Sequence, residues 1–456
     1  MKNIRNEIRP MLALALPLVL AEIGWMFMAI VDTIMVGHLP NPAITISAVA
    51  LAQVIYNTLA FGIGGVLLGL DTYLSQSHGA EEFDEANRWL LHGLILGAIL
   101  CAILMSVIWV SSFALMRLPV EPIVLTQAAG FLRALNFGTP FLMLYLALRR
   151  YLQAFNHVKS IAVALVSANA INAIGDWLLL FSHRIGELHF GGYGVVGAAF
   201  STAIARLYLA ASLLIALWYL NRKHDYGLRT MPRHFESWRL KRLALFGAPV
   251  GGQIFVEISI FAAVTAIIGT FGPLSLAGHE IALNCASFTF MVPFAVSAAG
   301  AVRVGQAIGR KAPHEAAAAG WTAIALGASF MLTASCVLIA IPHAIARGFT
   351  LDPAVIAAAV PLLLVAAAFQ FFDGIQITAS GALRGAGDTH TGLIVQLVGY
   401  WVIALPVGIL LGFHFKMGAV GLWIGLCVGL MIAGLAQVIT WRRIARSIET
   451  TVPTAS

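Results

Sequence analysis

Long apolar stretches alternate with short polar breaks along the whole chain. Twelve of these stretches are long enough to be membrane spans, at about 11–37, 45–71, 89–113, 127–149, 159–181, 194–220, 243–270, 277–302, 318–343, 356–383, 391–412 and 418–441. About 20 residues of helix cross roughly 30 Å of hydrocarbon. The backbone has no water to bond there, so each stretch is predicted to be a helix. The pattern also repeats. Pro17, Thr33 and Gly37 return as Pro249, Thr265 and Gly269, while Gln76, Gly79, Glu85 and Gly97 return as Gln306, Gly309, Glu315 and Gly327. Gly194, Val196 and Gly197 return as Gly418, Val420 and Gly421. The sequence therefore predicts an all-α integral membrane fold, with six spans in each half. Six is even, so both halves enter the membrane in the same direction and are related by an axis along its normal. The expected organisation is an N-terminal lobe at 1–220, a basic linker at 221–242, a C-terminal lobe at 243–441 and a tail at 442–456.

Composition strengthens this reading. Of 456 residues, 60% are apolar and 10% charged, against about 25% charged in soluble domains. The net charge of +7 would suit nucleic acid only if the basic residues formed a patch, and they do not. With both termini in the cytoplasm, 21 of the 27 Lys and Arg residues fall on the cytoplasmic side, Arg149 and Arg150 among them, and seven lie between Arg222 and Arg242. That is the positive-inside bias, with the linker expected at anionic headgroups. The four cysteines lie within apolar spans without metal-ligand spacing, so neither a disulfide framework nor a zinc site is expected. Pro17, Pro140, Pro249, Pro293 and Pro406 fall inside spans and are expected to release backbone carbonyls.

Polar groups at depth carry the candidate chemistry, because a charge at the bilayer centre costs about 2.5–3.5 kcal/mol on insertion scales. Asp32, Glu257 and Asp373 lie well inside spans. Asp373 shares a helical stripe with Gln370, Gln376 and Ser380, Glu257 follows Gln253 by one turn, and Glu280, Asn284 and Ser287 form a stripe on the eighth span. In the first half Asn169, Asn172 and Asp176 share a face, and Glu22 joins Asp32 on the first span. Asp71 and the histidines His92 and His279 are expected to be structural, and Arg206 to pair with one of the acids. Burial disfavours the ionised form of any carboxyl, so proton and cation become alternative occupants. If a proton or Na⁺ competes with a cationic compound for one such charge, the ion gradient drives the compound the other way. Antiport then needs no covalent step.

Three stretches resemble a known family. Val31-Asp32-Thr33-Ile34-Met35-Val36-Gly37-His38-Leu39, Gly69 to Ala80, and Gly381-Ala382-Leu383-Arg384-Gly385-Ala386-Gly387-Asp388-Thr389 resemble the motifs of multidrug and toxic compound extrusion (MATE) transporters. Residues 369–376 and Val256-Glu257 resemble the NorM-like branch. The resemblance implies twelve helices in two lobes and export of cationic or amphipathic organic compounds by alternating access, against entry of Na⁺ or H⁺. It also implies a second-lobe cation site at Glu257 and Asp373, open to Na⁺, a first-lobe coupling acid at Asp32, and a polar neighbour at Asn172. Asp176, Gln253, Glu280, Asn284, Gln370, Gln376 and Glu22 are supporting candidates. Phe369 stands where the branch is expected to have tyrosine, and Glu22 where glutamine is commoner, which leaves Na⁺ and H⁺ both open.

The expectation is thus a multi-pass exporter of a bacterial inner membrane, monomeric, in contact with lipid, with no cofactor beyond the coupling ion and no nucleic-acid partner. A lipid or oligosaccharide flippase of the wider superfamily is the alternative, although its cleft would need basic groups for pyrophosphate and this chain has mainly acids at depth. A major-facilitator exporter lacks its Gly, Asp and Arg-rich second loop here. An embedded enzyme would need a ligand or paired-acid motif at a boundary. Trp25, Phe288 and Phe371 are candidate cleft residues. The three acids also sit where the repeat breaks: Asp32 corresponds to Val264, Glu257 to Trp25 and Asp373 to Leu142.

Overall fold

The computed structural model describes residues 2–185, 188–228 and 234–451. Sixteen helical segments follow in order: α1 Lys2–Val36, α2 Pro42–Gly64, α3 Leu70–Gly79, α4 Phe83–Ala114, α5 Pro122–Asn136, α6 Thr139–Ala154, α7 Val158–Leu180, α8 Val195–His224, α9 Ser237–Gly269, α10 Pro273–Gly309, α11 Pro313–Ala340, α12 Pro342–Phe349, α13 Pro353–Gly385, α14 His390–Gln396, α15 Leu405–Ile409 and α16 Gly418–Thr451. A tight turn at 65–69 fuses α2 and α3 into one 38-residue span. Among the described residues, eleven helices are long and apolar enough to cross a membrane, and the bent pair α5 and α6 makes up to twelve. The chain is thus a multi-pass membrane protein. A short hairpin, β1 Ser182–Ile185 with β2 Leu188–Gly191, joins α7 to α8; the hydropathy pattern did not foretell it.

Proline sets many helix starts. It occupies one of the first two positions of α2, α5, α6, α10, α11, α12 and α13, where its missing N–H has no intrahelical partner to lose. Asp352 caps α13 by accepting from Ala354 N at 2.8 Å. Pro17, Pro249 and Pro293 remain inside continuous helices, whereas Pro140 begins α6 just after a 50° break. Around Pro406 the eleventh span widens into π-helical turns at Leu397–Ala404 and Leu410–His414.

The chain forms two compact units, one of residues 20–70 and 82–251, the other of 1–19, 71–81 and 252–456. In the second, small residues let helices approach to backbone contact. Gly327 on α11 and Gly374 on α13 face each other, so that a Cβ on either would sit 3.0 or 2.8 Å from the other's carbonyl oxygen. Such approach is how helices gain dispersion contacts in lipid, where no hydrophobic drive separates helix from solvent. The repeat mates Gly79 and Gly309 make a reciprocal crossing: a Cβ on Gly79 would strike the Gln306 carbonyl, and one on Gly309 the Gln76 carbonyl. Gln76 and Gln306 are themselves repeat mates, so two copies of one motif pack on each other.

In the first unit, the guanidinium of Arg239 donates to both carboxylate oxygens of Glu85 and, at 2.8 Å, to the flanking Glu236, and lies 4.9 Å from the Trp89 ring. The hydrogen bond from Arg239 holds the Glu236 carboxyl below its ordinary range. That link is therefore intact from neutral pH down through the usual carboxylate range, and is released only when acidification passes the lowered value. Arg239→Gln is expected to destabilise the unit by about 1.5–3 kcal/mol, the range for hydrogen bonds to charged groups, read as a lower melting midpoint of the purified protein; an unchanged midpoint contradicts the assignment. Arg149 and Arg150 lie inside α6 and are only 6% and 4% exposed. The second helix of the broken span runs on to Ala154.

Candidate functional site

Glu257 on α9 and Asp373 on α13 come together in the unit that holds residues 252–456, close enough for their charges to act on each other. Gln396, which ends α14, donates to Glu257 Oε2 at 3.3 Å. One turn before Glu257, Gln253 exchanges hydrogen bonds with Ser380 of α13 at 2.9 and 3.2 Å, clasping the helices that carry the two acids. Tyr400, which sequence reasoning passed over, is fully buried and within electrostatic reach of both carboxylates. Its only signal in the sequence is a lone tyrosine one turn after a lone glutamine in an apolar span.

The other proposed partners divide. Gln370 is fully buried three residues before Asp373, and its amide has no hydrogen-bond partner among the described residues. Gln376 packs its Cβ toward Gly434 of α16. Glu280 and Asn284 are exposed, and Asn284 bonds its own helix at Glu280 O. The eighth-span stripe is therefore not part of this buried cluster. His279 is buried, with both ring nitrogens hydrogen-bonded. The Trp423 indole, which only donates, bonds Nδ1 at 3.0 Å, so Nε2 carries the ring proton and donates to Thr265 Oγ1 at 2.8 Å. Thr265 in turn donates to Phe261 O. Every proton in that chain is committed, and the ring stays neutral.

In the unit of residues 20–70 and 82–251, Asp32 on α1 and Asp176 on α7 face each other within hydrogen-bonding reach. Neither oxygen pair carries a donor when both acids are ionised, so the contact becomes attractive only when a proton or a cation sits between them. Thr202 on α8, absent from the expected site, donates to Asp32 Oδ2 at 3.2 Å. Asn172 is near enough to bond Asp32, and its amide also donates to Ser201 Oγ at 3.2 Å. Arg206, one turn after Thr202, acts on Asp32 as a charge, while its Nη1 is held by Tyr56 Oη at 2.5 Å. Tyr56 passes the bond to Thr139 and Thr139 to Asn136. Glu22 does not join this pair; it is bonded to Arg149, which also reaches Tyr145 Oη. Trp25 stacks on Tyr145 at 6.2 Å, Phe371 packs edge-on to Phe372, and Phe288 is half exposed.

Two motifs that the sequence kept apart form one junction. Thr72 donates to Arg384 O at 2.5 Å, Gln76 to Gly385 O at 3.2 Å, and Asp71 lies 3.7 Å from the Arg384 guanidinium. Asp388 then caps α14 through Thr391 N and Oγ1, after a turn in which Gly387 takes φ 95°. Apart from Asp32, these motif residues build joints, and the acids at Glu257 and Asp373 lie elsewhere. At the repeat mates of Asp32 and Asp373, Val264 and Leu142 are buried core residues. Among the described residues no cluster of three or more His, Cys, Asp or Glu side chains stands ready for a metal ion, so each acid pair offers two negative charges at most.

A duplicated set of membrane-crossing helices, with an acid pair buried in each unit, defines a carrier of two related halves. The family model MatE matches the chain twice, at residues 17–178 and 249–410, displaced by the same 232 residues that separate Pro17 from Pro249, and the chain belongs to the MatE family. It is 34% identical over 448 residues to a protein named as the probable multidrug resistance protein NorM of Mesorhizobium japonicum, covering 96% of this chain and 94% of that one. It is 30% identical over 445 residues to the multidrug resistance protein MdtK of Yersinia pestis, covering 96% and 95%. The fold matches the eukaryotic MATE transporter AtDTX14 with a TM-score of 0.87 at 20% identity, covering 98% and 99%, and a MOP-superfamily transporter from Pyrococcus furiosus with 0.86 at 18%, covering 97% of each. As a member of the MatE family and a relative of these multidrug resistance proteins, the chain is not an enzyme.

Proposed function

We propose that the chain is a cation-coupled antiporter that exports cationic or amphipathic organic compounds across a bacterial inner membrane by alternating access. The observation that carries this reading is the buried pair Glu257 and Asp373, whose charges no basic side chain among the described residues offsets. Holding two such charges in an apolar span is costly, and a transported cation is what repays it. Na⁺ or H⁺ on one side and a cationic compound on the other compete for these carboxylates, so that the ion's entry releases the compound. Asp32, with Asp176, Asn172 and Thr202 around it, supplies a second exchangeable position in the other unit. The relatives named as multidrug resistance proteins support the substrate class, and the Lys and Arg bias supports cytoplasmic termini.

Purified protein in liposomes, loaded with a cationic dye, tests this directly. An imposed inward Na⁺ gradient or an imposed H⁺ gradient is expected to drive dye out when applied alone. If neither gradient moves the dye, the antiport reading fails.

A further inference from the structure

We propose that the unit of residues 20–70 and 82–251 carries, on the lipid-facing side of α4 and at the end away from the linker, a site for the phosphate of an anionic phospholipid, with Arg133 and Ser112 at its centre. α4 runs from Glu85, where Arg239 is bound, to the short turn Leu115–Arg117 at its other end. α5 returns antiparallel to it. Asn136 donates to Met105 O at 3.0 Å, and Arg133, one turn earlier on α5, donates through Nε to Ser112 Oγ at 3.0 Å. The guanidinium carbon stands 4.6 Å from the centre of the Phe113 ring and 5.5 Å from that of Trp109. Phe113 is 54% exposed, Trp109 49% and Val110 65%, so this face of α4 meets lipid. Ser112 lies five residues, or about 7.5 Å of helix, from Arg117, which puts the guanidinium near the boundary between acyl chains and headgroups. Helical side chains lean toward the N-terminus of their helix. For α5 that direction is the nearer membrane surface, and Arg133 extends its charged head toward it.

No acid answers the Arg133 charge. Among the described residues its one hydrogen bond is the bond to Ser112, and neither Arg133 nor Arg117 makes an ion pair, although Glu121 lies in the turn between α4 and α5. A cation at the edge of the hydrocarbon is costly without an anion beside it. Two aromatic faces relieve part of that cost, but the Nη groups of the fork have no acceptor. A phosphodiester supplies what is missing, since it offers two oxygens to the fork while its acyl chains lie along Trp109, Val110 and Phe113. Arg117 extends the same stripe, one turn after Phe113, and is exposed. A second guanidinium at the mouth favours a lipid of net negative charge. A zwitterionic lipid would bring its own cation against both arginines.

The test adds phosphatidylglycerol with brominated acyl chains, which quenches tryptophan on contact, to the purified full-length protein in detergent. The part of the quenching that disappears in Trp109→Phe, measured in each background, reports this site and not the basic linker. Arg133→Gln is expected to raise the lipid concentration for half-quenching of Trp109 about tenfold, or 1.4 kcal/mol, while the melting midpoint in lipid-free detergent holds. Brominated phosphatidylcholine of the same chain length is expected to need a higher concentration than phosphatidylglycerol in the wild type, and inorganic phosphate is expected to leave the quenching in place. An unchanged half-quenching concentration in Arg133→Gln, or equal values for the two lipids, overturns the inference. Full recovery of Trp109 emission with millimolar inorganic phosphate overturns it too, by making the occupant a free anion. If Arg133→Gln does not fold, Arg117→Gln, a change at an exposed side chain, decides by the same criterion with an expected rise of about fivefold, the effect of one basic residue near an anionic surface.

Discussion

Asp373→Asn and Glu257→Gln are each expected to cut export at least about tenfold, the effect of 1.4 kcal/mol, while the protein still inserts and runs as a monodisperse species. Each change removes a charge and keeps the shape. At the low dielectric of a buried site, a carboxylate and a cation a few ångströms apart interact by several kcal/mol, so losing one partner leaves little for the ion to bind. Folding is not expected to suffer, because a neutral amide is cheaper to bury than a carboxylate. Gln396 keeps an acceptor at position 257 in either form. Ion-driven dye efflux in liposomes gives the first quantity, and size-exclusion chromatography of the same samples gives the second. Full export in both variants would move these acids to a structural role.

Gly79→Ala and Gly309→Ala are expected to lower the yield of folded protein sharply, although each adds a single methyl group. At both positions the new Cβ meets a backbone carbonyl, of Gln306 and Gln76 respectively, and a carbonyl within a helix cannot swing aside as a side chain does. Overpacking of this kind costs about 1–3 kcal/mol and sometimes more. Gly269→Ala and Gly348→Ala supply the contrast, since nothing lies within 4 Å of a Cβ at either place. Melting midpoints of the four variants should separate into two groups. Equal midpoints would mean that the crossing of the two motif copies is looser than the backbone distances imply.

The spans were legible because hydropathy is a local property and the bilayer leaves the backbone no choice but helix. The fourth span was legible as apolar but not as broken: Pro140 is visible in the chain, whereas the 50° bend lies beside Gly138, where an added Cβ would sit 2.9 Å from Ala203 Cα, a contact between helices that the linear pattern does not contain. The acids were legible as anomalies, since a carboxylate in an apolar run needs a reason. Their partners were not. Thr202 is an ordinary threonine until α8 lays it against Asp32, and Tyr400 an ordinary aromatic until it lies near Glu257. Glu22 looked like a further ion site and instead has Arg149 beside it, 127 residues away in sequence.

By itself the sequence determined the membrane class, the duplication and the positions where the two halves differ in charge, because each follows from residue type and spacing along the chain. The tertiary structure alone decided which acids pair, with Asp32 against Asp176 and Glu257 against Asp373, and which are neutralised, as Glu22 is by Arg149. Those outcomes depend on distances between helices far apart in sequence, and a Coulomb or hydrogen-bond interaction is set by that distance and by the dielectric around it, neither of which a linear pattern contains.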